Sequence, residues 1–271
     1  VVIICSGLFV LGLIGFLMRI QDGFDETEVW GYLSATFAFL LTTAGGAPMV
    51  AIAPRIAKAH WRRSISRIAE LFSVIGLFSL LLFTPLLWVL PSLEDGRRTL
   101  WFFDQVGVPA YSPHVWMTLA VLFLTLSGLA MLWTSALPDL ADIRDESIGR
   151  RKRIFAWLAH GWNGTSSQWN MQRHRLGILG AFYFMMLVFT HFLFAVDFCM
   201  SLVPGWIDAL FPATHAANSL QAGTAAVLVT MFVVRRFGGF KDYIGLDQFW
   251  ALGKLMFALS LLWFWFWFSS F

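Results

Sequence analysis

Residues 115–137 read VWMTLAVLFLTLSGLAMLWTSAL, with no Asp, Glu, Lys or Arg among them. At 1.5 Å rise per residue, about 20 apolar residues in a helix cross the hydrocarbon of a bilayer. Six further stretches are long enough to do the same: 1–20, 29–53, 65–90, 176–203, 213–234 and 249–271. The fifth and sixth in chain order carry more polar residues than the others. The expected fold is all-α, a polytopic transmembrane helix bundle of at least seven spans forming a single integral membrane domain over 1–271. The chain opens at Val1 already inside an apolar run and ends directly after another, so it reads as the excised part of a longer protein.

Composition excludes the soluble classes. The 271 residues are 58% hydrophobic and only 13% charged, against about 25% charged in soluble domains. The 14 Trp and 28 Phe fit interfacial aromatic belts. Cys5 and Cys199 both lie in apolar stretches without CxxC spacing, so no zinc site and no iron–sulfur ligand set is expected. The expected surroundings are lipid and protein, with no nucleic-acid partner.

The net charge of +3 matters less than its distribution. Arg55, Lys58, Arg62, Arg63 and Arg67 fall between spans two and three. Arg144, Arg150, Arg151, Lys152, Arg153, Arg173 and Arg175 fall between four and five, and Arg235, Arg236 and Lys241 between six and seven. The alternate connections offer Arg97 and Arg98, with Arg19 at the rim of the first span, and are otherwise acidic or neutral. By the positive-inside rule the basic loops and the N-terminus are cytoplasmic, in the cell's inner membrane. The longest inner connection, 138–175, is too polar for lipid. Within it, 154–169 mixes Trp157, Trp162 and Trp169 with His160 and basic neighbours. That stretch reads either as a short interfacial helix or as a loop packed on a partner subunit.

Ionisable residues inside spans are costly, and each is a functional candidate. An outer set comprises His114, Asp197, Trp206, Asp208, His215, Asn218 and Gln221. The steps 215, 218 and 221 place the last three near one helical face. Three separate elements thus bring His and Asp to similar depth. A quinol needs hydrogen-bonding groups at its ring oxygens, an acid/base group for its protons, and an apolar slot. Asp197 and His215 are the candidate acid/base pair; the alternative is that His215 and Asp208 simply sit at the water interface. An inner set holds Glu70, Asp139 and Lys254, with His191 near mid-membrane. Glu70 and Lys254 read either as part of a proton path or as a structural ion pair. His191 either extends that path from the Asp197 region or is a satisfied core histidine. Gly45, Gly46 and Pro48 break the second span beside Thr42 and Thr43, to shape a pocket or to permit close helix packing.

Other classes fit less well. A haem-b cytochrome needs facing histidines at matching depth, which His114 and His215 offer only at the outer rim. A retinal protein would place its lysine at mid-membrane with a third-helix carboxylate opposite, whereas Glu70 lies at the inner edge. A transporter is the main rival, since broken helices and buried charges fit it, but no inverted repeat is evident.

Three stretches resemble the NrfD/PsrC-type membrane subunits, which include the polysulfide reductase membrane subunit and the quinol-binding subunits of alternative complex III. They are WRRSISRIAE over 61–70, DFCMSLVPGW over 197–206 followed by LFP at 210–212, and LGKLMF over 252–257 running to WFWFS at 265–269. The resemblance implies paired four-helix bundles, sometimes with extra helices, and no haem or metal in the subunit itself. It implies menaquinone or ubiquinone bound near the outer face. Electrons would be exchanged with an iron–sulfur cluster protein, in a complex with molybdopterin-type or cytochrome c subunits. It favours Asp197, then Trp206 and His215, as site residues. Some paired subunits of that family have lost quinone binding and remain as structural or proton-conducting partners.

Overall fold

The computed structural model describes residues 2–24, 27–89, 114–200, 203 and 205–270. Seven of its helical stretches are long and apolar enough to cross a membrane, and no strand occurs among the described residues. The chain is a multi-pass membrane protein. The helices are α1 (Val2–Gln21), α2 (Thr27–Gly46), α3 (Met49–Ile56), α4 (Ser66–Leu71), α5 (Ile75–Val89), α6 (His114–Glu146), α7 (Gly149–Leu158), α8 (Ser166–Leu193), α9 (Phe211–Phe237) and α10 (Leu246–Ser269). The expected outer connection carrying Arg97 and Arg98 lies outside the described residues.

Helices α2, α5, α6 and α8 surround one apolar core built from Phe37, Leu41, Phe83, Met117, Leu124, Met131, Tyr183 and Leu187. Helix α9 closes the side between α2 and α8, and α10 packs on α9. A second core joins α3, α4, α9 and α10 through Val50, Ile65, Ala69, Val227, Met231 and Leu252. Most large apolar residues of α1 and α10 are exposed, as lipid-facing side chains are when no water is present to exclude them.

The break expected in the second span is real. Helix α2 ends at Gly46, and Pro48, which has no N–H to give a continuing helix, precedes α3. The glycines there serve close packing. A Cβ on Gly46 would sit 1.9 Å from the Ser219 carbonyl oxygen, and one on Gly223 would sit 2.3 Å from the Gly46 carbonyl carbon. Backbone therefore lies on backbone where α2 crosses α9, and Ser219 Oγ donates to the Thr42 carbonyl across the seam at 2.9 Å. Small residues four apart, Ser219 and Gly223, are what such an approach requires.

Three spans differ from their expected form. The third is segmented: a 3₁₀ turn at His60–Ser64, α4, a second 3₁₀ turn at Phe72–Val74, then α5. The fourth runs through Pro138 to Glu146, and the fifth begins at Ser166, well before its apolar run. Both helices thus extend into the connection expected over 138–175, because charged residues are excluded from lipid and not from a helix. The stretch 154–169, expected as a short helix or a loop, is helical only in its first part, as the end of Gly149–Leu158, and again from Ser166. Trp162 is buried with Leu137, Ala141 and Ala159, and Trp169 already belongs to α8. A capping box at Thr165, with Gln168 answering it, fixes that start.

Candidate functional site

The fifth span ends in a π-helical segment, Phe194–Cys199, continuing directly from α8. Such wide turns are uncommon and recur at functional sites. Asp197 sits on this segment and is 1% exposed, and His191 on the turn before it is fully buried. His191 Nδ1 donates to the Leu187 carbonyl at 2.9 Å. A carbonyl only accepts, so Nδ1 carries a proton, and in the neutral ring Nε2 presents a lone pair. That Nε2 is buried without a hydrogen-bond partner among the described residues.

His215, one turn into α9, faces it. The two imidazole rings lie 5.1 Å apart at 41°, and His215 Nδ1 is likewise buried without a hydrogen bond. Aromatic side chains surround the pair: Phe194 is 5.3 Å from the His215 ring and Phe211 is 6.2 Å from it. Trp206 meets Phe211 at 4.6 Å with the rings tilted at 53°. On the other side Phe194 meets Phe198 at 6.2 Å, and Phe198 meets the His114 ring at 6.4 Å. Rings and unused nitrogens thus converge where α8, its π-segment and α9 meet.

The structure therefore links His191, His215 and Trp206 through ring contacts with Phe211 between them, with His114 reached through Phe198, and Asp197 is buried on the same π-segment as Phe194 and Phe198. His191 was expected only in a proton path, or as a satisfied core residue; its mate is His215, which sequence spacing did not reveal. Asp208 has a different task from a ring contact: its Oδ1 accepts from the Leu210 and Phe211 N–H groups at 2.8 and 3.1 Å and caps α9. Gln221 also departs from the expected shared face. Its amide donates to Ser260 Oγ on α10 at 2.9 Å, so it ties α9 to α10. Asn218 is half-buried one turn inward of His215 on α9.

The inner set forms a separate network. Glu70, 1% exposed, accepts from Arg55 Nη2 at 2.6 Å and lies 3.5 Å from Arg67 Nη1. Ser135 Oγ also donates to it. Arg67 reaches on to the Ser135 carbonyl at 3.0 Å and to Asp139 at 2.5 Å. This overturns the pairing of Glu70 with Lys254: the Lys254 ammonium lies 5.4 Å over the Trp250 ring on an exposed face of α10. Arg55 and Ser135 were missed as partners because the arginine read only as a topology charge. Close by, burial and the neighbouring charges of Arg55 and Arg63 lower the Arg62 pKa, opposed by Glu70.

One turn beyond Glu70, Ser73 lines a cavity of about 20 Å³ together with Gly45, Gly76, Ser79, Thr125 and Tyr183. That is room for one water, and far too little for a quinone ring. Ser73 Oγ is buried without a partner there, and the Tyr183 hydroxyl donates to the Gly45 carbonyl at 2.7 Å. No group of three or more metal-ligating side chains occurs among the described residues.

Residues 22–270 match the family described as polysulphide reductase, NrfD. The chain belongs to the NrfD family. The match covers every helix except α1, whose residues precede it. No curated protein matches the chain. NrfD-family proteins are membrane subunits of respiratory oxidoreductases, and both the histidine ring cluster and the Glu70 ion network lie within the family region.

Proposed function

We propose that this NrfD-family chain is the quinone-reactive membrane subunit of a respiratory oxidoreductase, with its quinone site at the His191–His215–Asp197 locus. The observation that carries this reading is the pair of facing imidazoles, each with a buried ring nitrogen lacking a hydrogen-bond partner among the described residues, with the buried Asp197 on the adjoining π-segment. A hydroxyl-bearing ring fits such a place. His191 Nε2 accepts one hydroxyl proton in a hydrogen bond, and Phe194, Phe198 and Phe211 offer faces for an aromatic ring. A bound menaquinol or ubiquinol supplies two electrons and two protons. Asp197 and His215 take up protons, and Asp208 holds the N-terminus of α9 so that His215 keeps its position. Trp206 covers the locus from the loop side. His114 and Asn218 flank it, and Gln221 supports it by fixing α9 on α10.

The remaining assignments follow from the same reading. The site lies near the extracytoplasmic face, the N-terminus is cytoplasmic, and the membrane is the cell's inner membrane. Electrons pass to or from an iron–sulfur cluster protein docked outside, in a complex with molybdopterin-type or cytochrome c subunits. Glu70, Asp139 and the Ser73–Tyr183 cavity serve as the inner part of a proton route whose outer end is His191. Lys254 stands outside this network and contributes no ion pair to it.

The test is Asp197→Asn in the assembled complex. A positioned acid/base group contributes about 10²- to 10⁴-fold, so quinol-dependent turnover falls by roughly 10²-fold or more while the subunits still copurify. Unchanged turnover removes Asp197 from the chemistry.

A further inference from the structure

The helix α7 has no part in either network, and its surface is strongly basic. Its sequence is GRRKRIFAWL, with Arg150, Arg151, Lys152 and Arg153 in succession and no acidic residue. Helix α7 packs on α6 through Phe155 and Leu158, both half-buried, and through the buried Ala159 that follows it. The opposite face carries Arg150, Arg153, Ile154 and Trp157, at steps of three and four. Ile154 is 50% exposed and Trp157 79% exposed.

Its depth is set by contacts. The Trp133 indole N–H donates to the Leu158 carbonyl at 2.9 Å, and the Trp133 ring meets His160 at 5.9 Å. Trp133 lies inside the apolar run of α6, one turn before Pro138. The α7 C-terminus is therefore held at the level of the hydrocarbon edge, and not out in the aqueous phase. Further ties make the placement rigid: Arg144 Nη1 donates to the Trp162 carbonyl and Gln172 Nε2 to the Thr134 carbonyl, each at 2.9 Å.

From this geometry we infer that α7 is an anionic-lipid docking element, lying along the inner leaflet with Ile154 and Trp157 among the acyl chains and its four basic side chains among phosphate headgroups. A short helix with a basic run and exposed Trp and Ile has the composition of an interfacial helix. The helix itself carries four positive charges and no negative one, and the nearby Asp145 is paired with Arg144, so the run complements acidic lipid headgroups. Each basic residue in that field is worth about a fivefold preference for anionic lipid. The inference is independent of the quinone reading, because α7 touches neither His191, His215 nor Asp197.

The experiment uses the full chain in nanodiscs, with Cys5→Ser and Cys199→Ala and a spin label on Trp157→Cys. Its accessibility to dissolved oxygen, which partitions into lipid, is compared with that to a water-soluble nickel complex. In phosphatidylcholine mixed with phosphatidylglycerol, the label sits on the lipid side. Replacing Arg150, Arg151, Lys152 and Arg153 with Gln shifts its partition toward water by roughly fivefold per charge removed, and replacing the three arginines with Lys does not. Pure phosphatidylcholine gives the same shift as the Gln variant. A label that is water-exposed in the anionic nanodiscs, or insensitive to charge, overturns the inference. So does a label shielded only when the other subunits of the complex are bound, since α7 would then be a protein-docking face.

Discussion

At the scale of single residues, hydrogen bonds already made determine what each side chain has left to offer. His191 gives its Nδ1 proton to Leu187, so its free nitrogen is an acceptor, which is the requirement for gripping a hydroxyl. His191→Phe keeps a ring against His215 and removes that lone pair. The expected result is a fall of about tenfold in quinol affinity, the size of one buried hydrogen bond, read from quinol kinetics on intact complex. Unaltered kinetics would leave His191 a packing residue. Glu70 is the opposite case, because its carboxylate is fully engaged by Arg55, Arg67 and Ser135. Glu70→Gln leaves buried guanidinium without its counter-charge and costs about 3–5 kcal/mol. Lys254→Met removes an exposed ammonium over Trp250 and changes stability by no more than about 0.5 kcal/mol. Thermal unfolding of the two variants in detergent checks that contrast. Equal losses would restore a shared role for Glu70 and Lys254.

At the scale of elements, two departures from regular helix place the groups. The π-segment Phe194–Cys199 widens the last turn of the fifth span and rotates Asp197 out of the phase that 3.6 residues per turn would give. The glycine crossing brings α9, which carries His215, against α2 with no side chain between the backbones. Gly223→Val puts three carbons where the Gly46 backbone lies, and α2 and α9 must separate. The expected outcome is a chain that no longer elutes as a single monodisperse species. Gly253→Ala, where an added Cβ meets nothing within 4 Å, elutes as the parent does. If both variants behave alike, the crossing is not what holds α9 in place.

Helix packing divides what could be read from the sequence from what could not. The seven spans were legible because lipid demands long uncharged runs, and Arg and Lys alternate between the connections. The Gly45–Pro48 break was legible because proline ends a helix. The pairing of His191 with His215 was not, since it depends on how α8 and α9 pack together, which spacing along either helix does not encode. Glu70 is legible as an acid inside a span, but its partners Arg55 and Ser135 are not, because a loop arginine near a span end reads equally well as an orienting charge. Asp208 reads as a site residue from its position, but the Leu210 and Phe211 N–H groups from which its carboxylate accepts become visible only once the backbone at the start of α9 is placed.

At the scale of the whole molecule, the account requires one orientation and one functional face. Single cysteines at Ser147 and Ile207, in a background with Cys5→Ser and Cys199→Ala, report the orientation in right-side-out vesicles. An impermeant thiol reagent is expected to label position 207 and to spare position 147; the reverse pattern would invert the topology. Given that orientation, the most direct measurement is equilibrium binding of a fluorescent quinol analogue to the purified complex, for the parent chain and for His215→Phe and Asp197→Asn. The account predicts saturable binding at one site on this subunit, weakened about tenfold or more by either substitution and untouched by Lys254→Met. Saturable binding that ignores both His215 and Asp197, or no binding to this subunit at all, would contradict it.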